Sequence, residues 1–353
     1  MPTPLDLAPL TAPMPPSVVQ AWRARARASG APWATIGARQ VVTIVVTLLA
    51  GGFFVLILGG MVGGLLTDVA RGGASFTVGG LVFVGAIAVV AVLIVRAILR
   101  STGRWGRWAR IDAFARANGL AFSPQDVPPA YPGLIFGLGS ARQIGEHVMS
   151  TSGRFFDMGG YVYTTGSGKN RTTHRWSFLA IRLDRRLPNI VLDSRANNGL
   201  IGSNLPVALA RDQVLHLEGD FDRYFTLYCP TDYAADALYV FTPDLMALLI
   251  DEAAPFDVEL VDDWFFAYSS RPLDMSAPGT YERLFRIIDT VGAKTLHQTE
   301  HYRDDRVADS VTANVIAPQG ARLRHGASLG AVIGVVVVVG WIAWSVVSRF
   351  VAP

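Results

Sequence analysis

The sequence predicts an α+β domain, antiparallel strands with helices, attached to three transmembrane α-helices. Three observations predict it. Val41–Leu66, Phe76–Val95 and Gly326–Ser348 are runs without a single charged side chain. At about 1.5 Å per helical residue, each is long enough to cross a hydrocarbon core of roughly 30 Å. The whole chain of 353 residues is 51% hydrophobic and only 17% charged, greasier than an ordinary soluble protein. Between the second and third runs, short segments rich in Val, Ile, Phe and Tyr give way to mixed strands and helices, the order expected of an α+β domain.

Residues 1–40 are rich in Pro and Arg and are expected to be a disordered cytosolic N-terminus; "MPTPLDLAPLTAPMPPSVV" is too long and too Pro-rich for the basic region of a signal peptide. Spans 41–66 and 76–98 then form a transmembrane hairpin over 41–99. Arg23, Arg25, Arg27 and Arg39 precede the first span and Arg100, Arg104, Arg107 and Arg110 follow the second, whereas the loop between them offers only Arg71. Arginine is retained on the cytoplasmic side, so the N-terminus and the domain at 100–325 are expected inside, the third span at 326–348, and the tail 349–353 outside. Lysine appears only as Lys169 and Lys294 beside abundant Ala and Gly, the bias of a GC-rich bacterial genome. A multi-pass protein of the bacterial inner membrane is the result.

Residues 103–118, "GRWGRWARIDAFARAN", continue the second span as an amphipathic helix with Trp105, Trp108, Ile111 and Ala115 on one face. Alternation of Arg104, Trp105, Arg107 and Trp108 fits a helix at a headgroup surface, Trp at the interface and Arg toward anionic lipid. It fits equally a helix that packs its aromatics on its own domain. "LIFGLG", "EHVMSTSGRFF", "GGYVYTT", "HRWSFLAIRL" and "NIVLDS" read as antiparallel hairpins, and "VLHLEGDFDRYFTLYCP" ends that run. "DYAADALYVF" reads as a short helix and "TPDLMALLIDEA" as another, with Thr242 as N-cap and Pro243 at the first helical position. The strands "FDVELVD" and "WFFAYSS" follow, and the helix "TYERLFRIIDTVGAKTLHQTEHYR" closes the domain. Cys229, the single cysteine, rules out an intramolecular disulfide; in an apolar strand it reads as a buried, inert thiol.

Phe221, Phe225 and Tyr228, followed by Ala237, Phe241, Thr242, Pro243 and Met246, form a recurring phrase. Together with the membrane hairpin, "GLIFG" and "YVYTT…HRWSFLAIRL", the chain over about 105–290 resembles a family of bacterial membrane proteins known as a domain of unknown function. The resemblance implies a cytosolic domain held at the membrane and carries over no catalytic residue. The third span is not a feature of that family.

His297, Glu300 and His301 spell H-x-x-E-H, in which two His one helical turn apart hold zinc and the Glu acts as base. A third ligand is needed, and only Asp304, Asp305 and Asp309 remain before the third span. A metal-dependent hydrolase is therefore the alternative, and no metal or cofactor is the expectation. "TTGSGKNRTTH" lacks the first Gly and the Ser or Thr of a phosphate-binding loop; it reads as a hairpin tip whose Lys169, Arg171 and Arg175 are placed to touch anionic headgroups. Asp262–Asp263 reads as a turn. The uncharged runs 41–66, 76–95 and 326–348 hold no ionisable group, which argues against transport. Residues 212–263 hold thirteen acidic side chains against Arg223 alone, which would repel nucleic acid. Gly59 and Gly63, and the series Gly326, Gly330 and Gly334, set small residues four apart, a spacing that packs spans within one chain or in a homo-oligomer. The expected function is binding or regulation of a protein partner at the membrane, without catalysis.

Overall fold

The computed structural model describes residues 5–34, 51, 103–199, 202–307, 314–326 and 341. The three predicted spans, with Gly59, Gly63, Gly330 and Gly334, lie outside the described residues, apart from Gly51, Gly326 and Trp341. Among the described residues no single helix is long and apolar enough to cross a membrane. The chain divides into two compact units, residues 11–113 and residues 1–10 with 114–353.

In the unit 11–113, helix α1 spans Pro16–Ala28, with Pro at its first turn and Trp22 and Ala26 buried one turn apart. This corrects the expectation of disorder over 1–40: the Pro-rich lead-in hides a helix that starts on Pro16, where a missing N–H costs nothing. Helix α2 runs over 103–117, one residue short of the predicted end. Trp22 stacks on Trp33 at 5.7 Å and meets Trp105 and Trp108 at 5.9 and 6.5 Å. Its indole N–H donates to Asp112 at 2.9 Å.

The larger unit is α+β, as predicted, and all its strand pairs are antiparallel. Strands β1 (Leu120–Asp126), β2 (Ser140–Ser150), β3 (Phe156–Thr165), β4 (Thr172–Ser194), β5 (Val214–Leu215), β6 (Phe225–Tyr228) and β7 (Asp257–Ser269) form one sheet. Its order is β1-β2-β3-β4-β6-β5, and β7 pairs the other side of β4. Strand β4 is the spine. Its first half pairs β3, its last four residues pair β6, and β7 follows it with register shifts between Arg182 and Ile190. "HRWSFLAIRL" and "NIVLDS" are thus one 23-residue strand, not two. "FDVELVD" and "WFFAYSS" are likewise one, and Asp262–Asp263 is a bulge within it, Asp262 at φ 50°, rather than a turn. β1 escapes the sequence reading because Pro124 interrupts it, which only an edge strand tolerates.

Alternation puts Tyr161, Trp176, Phe178, Trp264, Phe266 and Tyr268 in one aromatic cluster. "LIFGLG" is a turn folded over that cluster rather than a strand, burying Ile135 and Phe136. Gly133 makes the approach possible, since a Cβ there would lie 2.0 Å from the Tyr268 hydroxyl. Helices α3 (Ala234–Val240) and α4 (Pro243–Leu248) follow β6, and Thr242 caps α4 by accepting from the Leu245 N–H, as its sequence predicts. Helix α5 (Pro278–Ile287) continues through a π-turn into α6 (Ala293–Thr299). It buries Tyr281, Leu284, Ile287, Val291 and Thr295, one face of the helix.

Candidate functional site

The sequence-predicted residues do not converge. His297, Glu300 and His301 are all exposed, and α6 ends at Thr299, before the second His. Asp304, the nearest candidate third ligand, is spent elsewhere. Its Oδ2 accepts from Tyr233 at 2.6 Å and the Ala317 N–H at 2.8 Å, and its Oδ1 from the Arg306 backbone and guanidinium at 3.1 and 3.2 Å. Burial opposes its ionisation, but these donors outweigh burial and hold its pKa below the usual carboxylate range. Among the described residues no three His, Cys, Asp or Glu side chains are grouped to hold a metal. His301 instead lines a concavity of about 660 Å³ with Asp236, Tyr239, Tyr302 and Arg306. There Asp236 is already met by the Tyr302 hydroxyl at 2.6 Å and by Arg306 at 2.9 Å.

Trp105 and Trp108 are 6% and 5% exposed, their rings 5.5 Å apart within the tryptophan cluster. The headgroup contact expected of their rings is therefore corrected: packing on Trp22 and Trp33 covers them. The half-buried Arg104 lays its guanidinium over Trp108 at 4.8 Å, and Arg107 is half-buried beside it in the helix. Lys169, Arg171 and Arg175 are exposed at the β3–β4 hairpin, which joins two strands as its sequence predicts. Gly326 is not in a helix; its N–H donates to Ala208 at 2.8 Å, and a Cβ would meet the Leu209 carbonyl at 2.8 Å. Close backbone contact with that segment, not span packing, explains its lack of a side chain. Cys229 is buried, and burial pushes its thiol up to about 11, an inert state.

What the fold does assemble lies elsewhere. Between the 129–131 segment and β7 a cleft of about 450 Å³ is lined by Pro129, Ala130, Tyr131, Phe155, Arg182 and Trp264. Trp264 meets Tyr131 edge-on at 4.9 Å and Phe155 at 5.9 Å. Arg182 covers the Trp264 ring at 4.8 Å and pairs with Asp263 at 2.5 Å. Behind the cleft runs a chain of polar groups. Tyr131 donates to Asp157 Oδ2 at 2.8 Å, Asp157 Oδ1 meets His147 Nδ1 at 2.9 Å, and His147 Nε2 meets Asp126 at 2.9 Å. Tyr131, Asp157 and His147 are buried, while the Asp126 side chain is half exposed.

Local structure explains this chain. A bulge between Gly145 and Val148, with Glu146 at φ 50°, turns His147 inward. Gly159 opposite makes room, since a Cβ there would come 2.5 Å from the His147 Cβ. Burial alone would lower the imidazole pKa, but the Asp157 bond and charge, then those of Asp126, outweigh it and raise the value. Burial, and then Asp157, hold the Tyr131 phenol far above its ordinary value, so it stays protonated. The cleft thus offers apolar and aromatic surface, and its ionisable groups are committed to partners within the chain. No sequence motif marks it. The only signal was the number of aromatic residues at alternating positions in β4 and β7.

No family model and no curated protein matches the chain. One solved structure, the crystal structure of the mycobacterial trehalose monomycolate transport factor A, TtfA, matches 54% of this chain and 94% of its own at 12% identity. The TM-score of 0.34 is too low for that likeness to carry any statement about this protein.

Proposed function

We propose that the chain is a multi-pass protein of the bacterial inner membrane whose cytoplasmic α+β domain binds a partner, or regulates one, without catalysis of its own. The aromatic cleft carries this reading. It is a surface suited to an apolar or planar group, and Tyr131, Asp157, His147, Arg182 and Asp263 are tied to one another rather than poised for a substrate. The uncharged runs and arginine-rich flanks support attachment to the membrane. Exposed Lys169, Arg171 and Arg175, with Arg104 and Arg107, are the cations proposed to meet anionic lipid headgroups. Spans carrying Gly59, Gly63, Gly330 and Gly334 are proposed to pack together, within the chain or between copies. Resemblance to the family of membrane-held cytosolic domains points the same way. The alternative, a metal-dependent hydrolase at His297, Glu300 and His301, draws no support from these positions, because Asp304 is already saturated by donors.

A photoreactive benzoylphenylalanine at Phe155, on the rim of the cleft, tests the reading in living cells. The expected result is a covalent adduct that Trp264→Ala abolishes, with none from the same group at exposed Leu238. Equal adducts at both positions, or none at either, would remove the cleft as a binding surface.

A further inference from the structure

Pro129, Ala130 and Tyr131 form one wall of the aromatic cleft, and that wall is held at both ends by carboxylates that meet on a single imidazole. At one end Asp126, the last residue of β1, faces His147 Nε2 at 2.9 Å. At the other the Tyr131 hydroxyl donates to Asp157 Oδ2 at 2.8 Å, and Asp157 Oδ1 faces His147 Nδ1 at 2.9 Å. Little else ties the wall down. The β1–β2 ladder stops at Asp126 opposite Ile144. Pro128 and Pro129 have no N–H to give, and among the described residues the hydrogen bond within the segment runs from the Tyr131 N–H to the Pro129 carbonyl at 2.8 Å. Val127 is 87% exposed.

Only the imidazolium donates from both ring nitrogens. On losing a proton the ring keeps one N–H, and burial decides which carboxylate receives it. Asp157 is 1% exposed, and among the described residues its Oδ1 has no hydrogen bond but the one to the imidazole. An unmet oxygen there costs far more than one at Asp126, whose side chain is half exposed and turns readily to water. Nδ1 therefore keeps the proton, and the Nε2 lone pair is left facing a carboxylate, a contact that Asp126 escapes by rotating outward. The titratable groups that act on the imidazole are Asp157 from β3 and Asp126 from β1, with the Tyr131 phenol behind Asp157. Glu146, its neighbour in β2, acts on the Tyr281 phenol of α5, which burial and then that charge keep protonated. Among the described residues neither Asp126 nor Asp157 has a Lys or Arg partner, so the imidazolium is the cation that holds the pair.

We propose that His147 is a protonation switch for the cleft: as imidazolium it holds Asp126 and fixes the 127–131 wall, and as neutral imidazole it releases Asp126 and frees the wall. Burial opposes the charged ring, but the bonds and charges of Asp157 and then Asp126 outweigh it, so release falls above the ordinary imidazole value of about 6.5. A partner then binds the cleft more tightly on the acidic side of that transition than on the alkaline side. This consequence rests on the partner-binding reading of the cleft, whereas the release of the wall does not.

The test uses the full chain in detergent, with a nitroxide on Val127→Cys in a Cys229→Ser background, titrated upward from about pH 6. The spectrum should be restrained at the acidic end and gain a mobile component along a single-proton curve, while the same label on Leu238→Cys stays unchanged. Asp126→Ala should show the mobile component at every pH, and His147→Gln should lose the pH dependence. A Val127→Cys label that does not change before the chain unfolds, or that changes equally in Asp126→Ala, would overturn the switch. The cleft is read separately, through the benzoylphenylalanine adduct at Phe155, whose yield should drop in Asp126→Ala. Equal adduct yields with and without Asp126→Ala would overturn the coupling to a partner. A titrating label in a protein that forms no adduct at all would instead strike the binding surface and leave the switch of the wall standing.

Discussion

His147 sits with each ring nitrogen 2.9 Å from a carboxylate, an arrangement that only the doubly protonated imidazolium satisfies from both sides. Its folded pKa is raised, so the stability it contributes is full below the unfolded value of about 6.5 and is lost as pH rises through the folded value. Asp257 and Glu259, raised by burial to about 7, also lose stability as pH climbs toward neutrality. The histidine is therefore isolated by comparison. Urea midpoints of the wild type should fall more steeply than those of His147→Gln as pH rises above about 6.5, whereas parallel curves would mean that the imidazole does not titrate as the geometry requires. None of this was legible in the sequence. The partners lie 10 and 21 residues from His147, and a bulge decides which way the ring points. Thr242 was legible, because a cap acts within three residues of its own chain.

Elements show the same division between local and distant causes. The α5–α6 helix and the α3–α4 pair follow from periodicity and caps that lie within each segment. The sheet was legible as antiparallel and strand-rich, but its strand lengths were not. β4 runs unbroken through "DRRLP" because β7 pairs along it and absorbs the mismatch in bulges, which no local propensity reports. "LIFGLG" has the composition of a strand yet folds as a turn. There Leu134 donates its N–H to Glu259 at 2.7 Å, and the Tyr268 hydroxyl meets the same oxygen at 2.8 Å. Gly133 is the residue on which that docking depends. Gly133→Ala must displace Tyr268 or the turn, and its expected cost is about 1–3 kcal/mol in chemical denaturation. A variant as stable as the wild type would show that the turn is not held against the sheet as described.

For the whole molecule, membrane attachment and the side on which the domain lies decide which partners can reach the cleft. Lipid does not solvate charge, and the proposal of a cytoplasmic domain rests on the arginine-rich flanks of the first two predicted spans. The candidate site, in contrast, owes nothing to a motif: it forms where a turn, β4 and β7 meet, and only the assembled fold brings Tyr131, Phe155 and Trp264 together. Cys229 is too deeply buried to report topology, whereas Lys169 stands exposed at a hairpin tip. The decisive measurement is labelling of intact cells with a membrane-impermeant maleimide, in a Cys229→Ser background carrying either Lys169→Cys or Ala352→Cys. The account predicts no labelling at position 169 until the cells are permeabilised, and labelling at position 352 without permeabilisation. Labelling at 169 in intact cells, with 352 protected until they are opened, would contradict it, turn the domain outward and remove every cytoplasmic partner proposed for the cleft.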